Sequence, residues 1–130
     1  MSPAETLQPT TTPVIRTIAM PRDANHQGDI FGGWLMSQMD LGASTLALER
    51  ARGRVVTAAV EGMSFISPVY VGDEVTIYGS ILSTGRTSMR IFVEAWRRRR
   101  DRNEAAKVTE ATFTFVALGE DRRPRPLPPE

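Results

Sequence analysis

The sequence contains no cysteine and a single histidine, His26. Disulfides, thiolate nucleophiles and cysteine-ligated metals are thereby excluded. A metal site would have to gather His26 with carboxylates from across the fold, and no spacing in the chain points to one. No apolar stretch approaches the ~20 residues of a membrane span, and no basic segment followed by an apolar run opens the chain. The expectation is a soluble, unprocessed protein, and the lack of disulfides suits a reducing cytoplasm. Charge of neither sign dominates: 16 Lys and Arg against 15 Asp and Glu leave a net +1. The overall balance therefore calls for neither nucleic acid nor an anionic membrane as partner. With 130 residues, 41% of them hydrophobic, there is material for one globular domain with a small core and no room for a second.

What is present centres on one stretch, Asn25-His26-Gln27-Gly28-Asp29-Ile30-Phe31-Gly32-Gly33-Trp34-Leu35-Met36-Ser37-Gln38-Met39-Asp40. It begins as a polar, glycine-bearing loop and passes through Gly32-Gly33 into the only long helical pattern in the chain, which runs to about Arg52. The first N–H groups of a helix have no internal partner, and glycine puts no Cβ in the way, so such a start can face a ligand oxygen. At about 100° per residue, Leu35, Met36, Met39, Ala43, Leu46 and Ala47 share one face, and Asp40 falls on its edge, roughly 80° from the stripe centre. A carboxylate two turns into a helix beside an apolar stripe is costly unless it has partners or a task. Trp34, Leu41 and Leu48 form a second stripe, seven residues apart. A helix apolar on two sides is usually covered by something else, and oligomerisation is the economical explanation.

Around the helix the chain divides simply. Residues 1–13 carry Pro3, Pro9 and Pro13 with the Thr10-Thr11-Thr12 run and read as a disordered lead-in. A short strand is expected over 14–20, stopped by Pro21. After Gly53 the runs 55–66, 74–82, 87–96 and 108–118 are β-branched and aromatic, with breaks at Pro68, Gly72-Asp73, Gly85 and the charged 97–105 segment. Strand, helix, then four mostly antiparallel strands describes an α+β sheet wrapped about one central helix. The tail, with Pro124, Pro126, Pro128 and Pro129, is expected to lie extended on the surface.

Other residue groups invite a function. His26 with Asp29 or Asp40 and Ser37 supplies the types of a hydrolase triad, yet no Gly-x-Ser-x-Gly elbow is present and Ser37 lies within a helix. Gly28-x-x-x-Gly32-Gly33 lacks the Lys-Ser/Thr of a phosphate loop. The run Arg97-Arg98-Arg99-Arg100-Asp101-Arg102 falls at a hairpin end with few aromatics near it, which favours a solvated turn over a nucleic-acid patch. Asn25 suits an Asx turn as well as an active role. Met36, Met39, Met63 and Phe65 suit an adaptable apolar tunnel or, equally, the core.

The residues Met20-Pro21-Arg22-Asp23-Ala24-Asn25, Gly28-Asp29-Ile30-Phe31-Gly32-Gly33-Trp34 and Met36-Ser37-Gln38-Met39-Asp40 closely resemble the hot-dog-fold acyl-CoA thioesterases of the YciA type. So do Gly53-Arg54-Val55-Val56-Thr57, Met63-x-Phe65-Ile66-x-Pro68, Val71-Gly72-Asp73, Gly85-Arg86-Thr87-Ser88 and Phe113-Thr114-Phe115-Val116-Ala117, in the same order. The likeness covers about residues 14–127. It implies a hot-dog domain over 14–121, built as a five-stranded antiparallel sheet around one long helix, with 122–130 as a Pro/Arg-rich tail. It implies dimers as the minimal active unit, a trimer of such dimers, and active sites at the dimer interface.

The expected activity is hydrolysis of acyl-CoA to a carboxylic acid and coenzyme A, without metal or redox cofactor. Asp40 matches the helix aspartate that acts in hydrolysis, as general base or as nucleophile. The Gly32 and Gly33 N–H groups can polarise the carbonyl, and Asn25 matches the loop asparagine of related double-domain thioesterases. For the phosphates of coenzyme A, Arg86 in its turn with Thr87 and Ser88 is the first candidate, then Arg54, with Arg90, Arg122, Arg123 and Arg125 behind it. Met63 and Phe65 are candidates for the apolar wall. Two alternatives stand beside this. A hydratase or dehydratase on the same fold would want Asp-x-Asn-x-x-His, whereas His26 follows Asn25 directly; the other is a non-catalytic acyl-CoA-binding module.

Overall fold

The computed structural model describes residues 8–130, so residues 1–7 of the lead-in expected to be disordered lie outside the described part. The elements are β1 (Ile15–Ile18), a 3-10 turn (Pro21–Asp23), α1 (Gly32–Ala51), β2 (Val55–Glu61), β3 (Glu74–Thr84), β4 (Ser88–Arg98) and β5 (Ala105–Ala117). The strands form one antiparallel sheet in the order β1-β3-β4-β5-β2. It curls round α1, which touches β2, β3, β4 and β5. The expected α+β arrangement of five strands about one helix is what the chain adopts. No helix among the described residues is long and apolar enough to cross a membrane.

The core lies between α1 and the concave face of the sheet. Leu35, Met39, Ala43, Ala47 and Ala51 meet Val75, Ile77, Met89, Ile91, Val93, Phe113 and Phe115, all almost wholly buried. Full burial of a Leu or Met side chain contributes ~1.5–3 kcal/mol, so the first half of the helix holds it down most firmly. The second half offers small residues, which lets the backbones approach. A Cβ on Gly42 would fall 2.7 Å from Val14 Cγ2, and one on Gly79 would fall 3.0 Å from Leu46 Cδ1. Of the second stripe, Leu41 and Leu48 are 56% and 45% exposed, whereas Trp34 folds back against the core.

Several boundaries differ from the sequence expectation. The first strand is shorter than 14–20, and the 55–66 run stops pairing at Glu61, because Gly62 takes a left-handed φ of 75°. The arginine run is not one solvated turn: Arg97 and Arg98 belong to β4, and Arg97 is only 8% exposed. Arg99 lies over the Tyr70 ring, 4.2 Å from its centroid, and pairs with buried Asp73. Only Arg100-Asp101-Arg102 sits out in water.

That Arg99–Asp73 pair organises the 70–73 turn. Asp73 Oδ2 also accepts from the Tyr70 N–H at 2.9 Å, and Gly72, at φ 94°, donates to Ala19 O. The turn in turn pairs Tyr70 with Asp29, and Ile30 N–H donates to Val69 O. Asp73 thus anchors the loop that leads into α1. Asp73→Ala is expected to lower the unfolding free energy by about 3 kcal/mol, since it strands a largely buried guanidinium, with the loss read from denaturant titration.

Candidate active site

The loop before α1 is a small, closed hairpin. Asn25 N–H donates to Asp29 O at 2.7 Å, Gly28 N–H donates to Asn25 O, and Gly28 has a φ of 91° that an L residue adopts only with strain. The Asn25 side-chain oxygen accepts from the Gln27 and Asp29 N–H groups at 2.9 and 3.1 Å. This is the Asx turn, which uses the side-chain oxygen and not the NH₂ donors. His26 sits exposed at the tip.

Phe31 N-caps the helix with extended backbone, and its carbonyl accepts from Trp34 and Leu35 at 3.1 and 3.3 Å. Gly32 and Gly33 stand ahead of that first bond, so their N–H groups are among the helix's orphan donors. The two glycines differ. A Cβ on Gly33 would meet nothing within 4 Å, while one on Gly32 would sit 3.2 Å from the Phe65 ring. Gly33 faces open space and Gly32 faces an aromatic wall.

The open space is a cleft of about 290 Å³ lined by Gly33, Met36, Ser37, Asp40, Thr57, Val60 and Phe113. Its walls are apolar apart from Ser37, Asp40 and Thr57. The Ser37 hydroxyl donates back to Trp34 O at 2.6 Å, so it serves the helix and is not arranged as a nucleophile. Asp40 is half-buried, and its Oδ1 accepts a 2.6 Å hydrogen bond from Thr57 Oγ1. One carboxylate oxygen is held by β2, and the residue lines the cleft.

Thr57 owes its place to a bulge. The β2–β5 register shifts between Thr57 and Ala59, so Thr57 opposes Phe115 and Val60 opposes Phe113. Strict alternation would send residues 57 and 60 to opposite faces; the extra residue Ala58 brings both to the face that looks at α1. The role of Thr57 is not among the sequence candidates. Its signal is the pair of small residues Ala58-Ala59 interrupting a β-branched run.

The remaining candidates lie elsewhere. Phe65 borders a second cleft, of about 260 Å³, with Ile30, Phe31, Gly32, Leu35 and Val69, on the other flank of the helix start. Met63 packs against the core. Arg86 is exposed in the β3–β4 turn, which closes with Gly85 N–H donating to Ser88 O at 2.8 Å, while Thr87 O accepts from Ala117 N–H. Met89 lies level with Thr57 across β5, so Arg86, three residues earlier, is about 10 Å further along the sheet at ~3.3 Å per residue. Arg54 is exposed at the start of β2, near the same end. Arg125 is engaged otherwise, donating from Nη2 to Ala51 O and from Nε to Leu118 O. Asn25 does not line the Asp40 cleft of its own chain.

A curled antiparallel sheet around one long helix, with a cleft at the helix start, defines the hot-dog fold. The profile of the thioesterase superfamily matches residues 27–103, and the chain belongs to that family. It is 52% identical over 118 residues to the acyl-CoA thioester hydrolase YciA of Salmonella typhimurium, covering 88% of this chain and 89% of the relative. Among solved structures it is similar to HI0827, a hexameric broad-specificity acyl-coenzyme A thioesterase, at 50% identity and a TM-score of 0.89, covering 95% of this chain and 86% of that one. The hexameric thioesterase y2039 of Yersinia pestis gives 48% identity and a TM-score of 0.88, covering 95% of this chain and all of the other.

Gly33 offers a test of the cleft without altering a charge. Gly33→Ala should fold normally and match or exceed wild-type stability by up to about 1 kcal/mol, because alanine suits a helix better and its methyl meets no atom. A clear drop in melting temperature would contradict the open geometry.

Proposed function

We propose that the protein hydrolyses acyl-CoA thioesters, with Asp40 as the group that acts on the attacking water or on the thioester carbon itself. One observation carries the reading: Asp40, held through one oxygen by Thr57, faces an apolar cleft at the glycine start of α1. Relatives with about half their residues identical are acyl-CoA thioester hydrolases, which supports the same substrate class here.

Thioester hydrolysis needs a deprotonated water, or another oxygen nucleophile, and donors for the oxyanion that develops on the carbonyl. The free Asp40 oxygen supplies the base or nucleophile. The Gly32 and Gly33 N–H groups, fixed before reaction and aligned with the helix dipole, stabilise the oxyanion. Arg86, aided by Thr87, Ser88 and Arg54, meets the coenzyme phosphates, while Met36, Val60 and Phe113 bound the apolar part of the Asp40 cleft in place of Met63 and Phe65, which lie in the core and on the neighbouring cleft.

Asn25 acts in this scheme from a second copy of the chain. Among the described residues β2 is an edge strand, its Val56 and Val60 45% and 39% exposed, and an apolar edge of this kind invites pairing with its own copy. Two copies joined along β2 put the Asp40 cleft at the interface, where the partner's loop presents the Asn25 amide to the reacting water. The exposed Leu41 and Leu48 give further surface for association. Three such dimers would make a hexamer, and the hexameric state of HI0827 supports an assembly of that size.

Asp40→Asn should keep fold and assembly while lowering kcat by about 10²–10⁴, the usual contribution of a positioned acid–base group. Thr57→Val removes the orienting donor with little change in shape, and a loss on the order of 10–100-fold is expected from the misplaced carboxylate. Thiol release from short, long and aromatic acyl-CoA substrates is the assay, and near-wild-type turnover by folded Asp40→Asn would remove Asp40 from the mechanism. Arg86→Ala should raise KM for acyl-CoA and spare kcat, with no change for acyl-pantetheine, which lacks the nucleotide.

A further inference from the structure

Residues 124–128 alternate proline with another residue: Pro124, Arg125, Pro126, Leu127, Pro128. The two N–H groups this pattern leaves are both used. Arg125 N–H donates to Ala117 O and Leu127 N–H donates to Arg86 O, each at 2.9 Å. The alternation gives the segment a sheet-like edge on one side and donor-free prolines on the other. The turn before it, with Arg122 at φ 65° and Gly119 N–H donating to Arg123 O, folds the chain back onto the end of β5.

The Arg125 side chain ties this strap to the helix. Its Nη2 donates at 2.8 Å to Ala51 O, one of the last carbonyls of α1 left without a helical partner, and its Nε donates at 3.0 Å to Leu118 O. A cation at a helix C-terminus is also favoured by the dipole. The guanidinium lies so close over Gly53 that a Cβ there would fall 2.7 Å from Nη2. Arg50 Nη1 donates to Pro128 O at 2.6 Å, and Leu127 packs against the core. The strap is therefore fastened to α1 at both ends and to the β3–β4 turn in the middle, and its prolines reduce the freedom that would otherwise have to be lost.

We propose that Arg125 and the strap it anchors are positioning elements for coenzyme recognition, holding the Arg86 turn at a fixed place relative to α1. This rests on the reading of Arg86 as the phosphate-binding arginine. Arg86 itself is exposed on a hairpin turn, where a long side chain gains little binding free energy unless its backbone is fixed. The strap bonds to the carbonyl of Arg86 and so fixes the backbone from which the guanidinium reaches. Arg125 touches no coenzyme in this account; its donors are spent on backbone carbonyls.

The experiment compares Arg125→Ala, Leu127→Pro and Arg86→Ala with wild type, using one acyl group carried on coenzyme A and on pantetheine, with thermal unfolding and oligomer size measured in parallel. Leu127→Pro keeps an apolar side chain but removes the N–H that reaches Arg86. The expected result is a 3–10-fold rise in KM for acyl-CoA in both strap variants, at unchanged kcat and with unchanged acyl-pantetheine kinetics, as for an interaction made equally in ground and transition states. If Arg86→Ala shows this split and neither folded strap variant does, the strap is a stabilising feature alone and the proposal is overturned while the coenzyme site stands. Equal effects on both substrates in the strap variants overturn it as well. If Arg86→Ala shows no split, the reading of Arg86 fails, and the strap proposal fails with it.

Discussion

Helix α1 rests on the sheet through Leu35 and Met39 in its first half and through Gly42, Ala43, Ala47 and Ala51 beyond them, and this change in residue size sets the distance between helix and strands. Large residues near the start keep space open beside Gly33; small ones further on draw the helix against β3 and β4. Asp40 stands at the changeover. Were the helix an ångström or two further from β2, Thr57 could not reach the carboxylate at 2.6 Å. A half-buried carboxylate without that donor would face an apolar cleft with one hydrogen bond fewer, at a cost of ~1–3 kcal/mol. Packing in the core therefore sets where the Asp40 carboxylate sits, through one hydroxyl.

The site also depends on an incomplete edge. Among the described residues β2 pairs only with β5, and the bulge at Ala58 turns both Thr57 and Val60 toward the helix while leaving Val56 for the outside. An edge strand with exposed β-branched residues is a hazard in a monomer and a ready interface in an assembly. The same strand that steadies Asp40 is thus the one on which a second copy would lie.

Much of the fold was legible because its signals are local. The Gly32-Gly33 start, the 3.6-residue apolar period from Leu35 to Ala47 and the turn residues at Gly72-Asp73 and Gly85 each announce structure within a few neighbours. Asp40 was legible for the same reason, as a charge on the edge of an apolar stripe. Thr57 was not, because its orientation depends on the register between β2 and β5, which have two other strands between them in the sequence. Arg99 was hidden in a run of arginines that looked alike; only the fold brings one of them to Asp73. Arg125 read as a lesser candidate for the coenzyme phosphates, and its contact with the helix end requires residues 51 and 125 to be neighbours in space. Of the apolar stripe Trp34, Leu41 and Leu48, the last two face outward as expected, while Trp34 at the first turn folds back on the core.

The central claim is that one reaction centre joins Asp40 of one chain to Asn25 of another. Co-refolding Asn25→Ala chains with an equal amount of Asp40→Asn chains tests it most directly, with thiol release from acyl-CoA as the readout. If the centre spans two chains, each hybrid dimer holds one site with both residues intact, and random pairing of two-fold dimers should restore about a quarter of wild-type activity. If both residues belong to the same chain's site, no hybrid contains an intact centre. Activity no higher than the mean of the two parents, in a preparation shown to contain hybrids, would contradict the account.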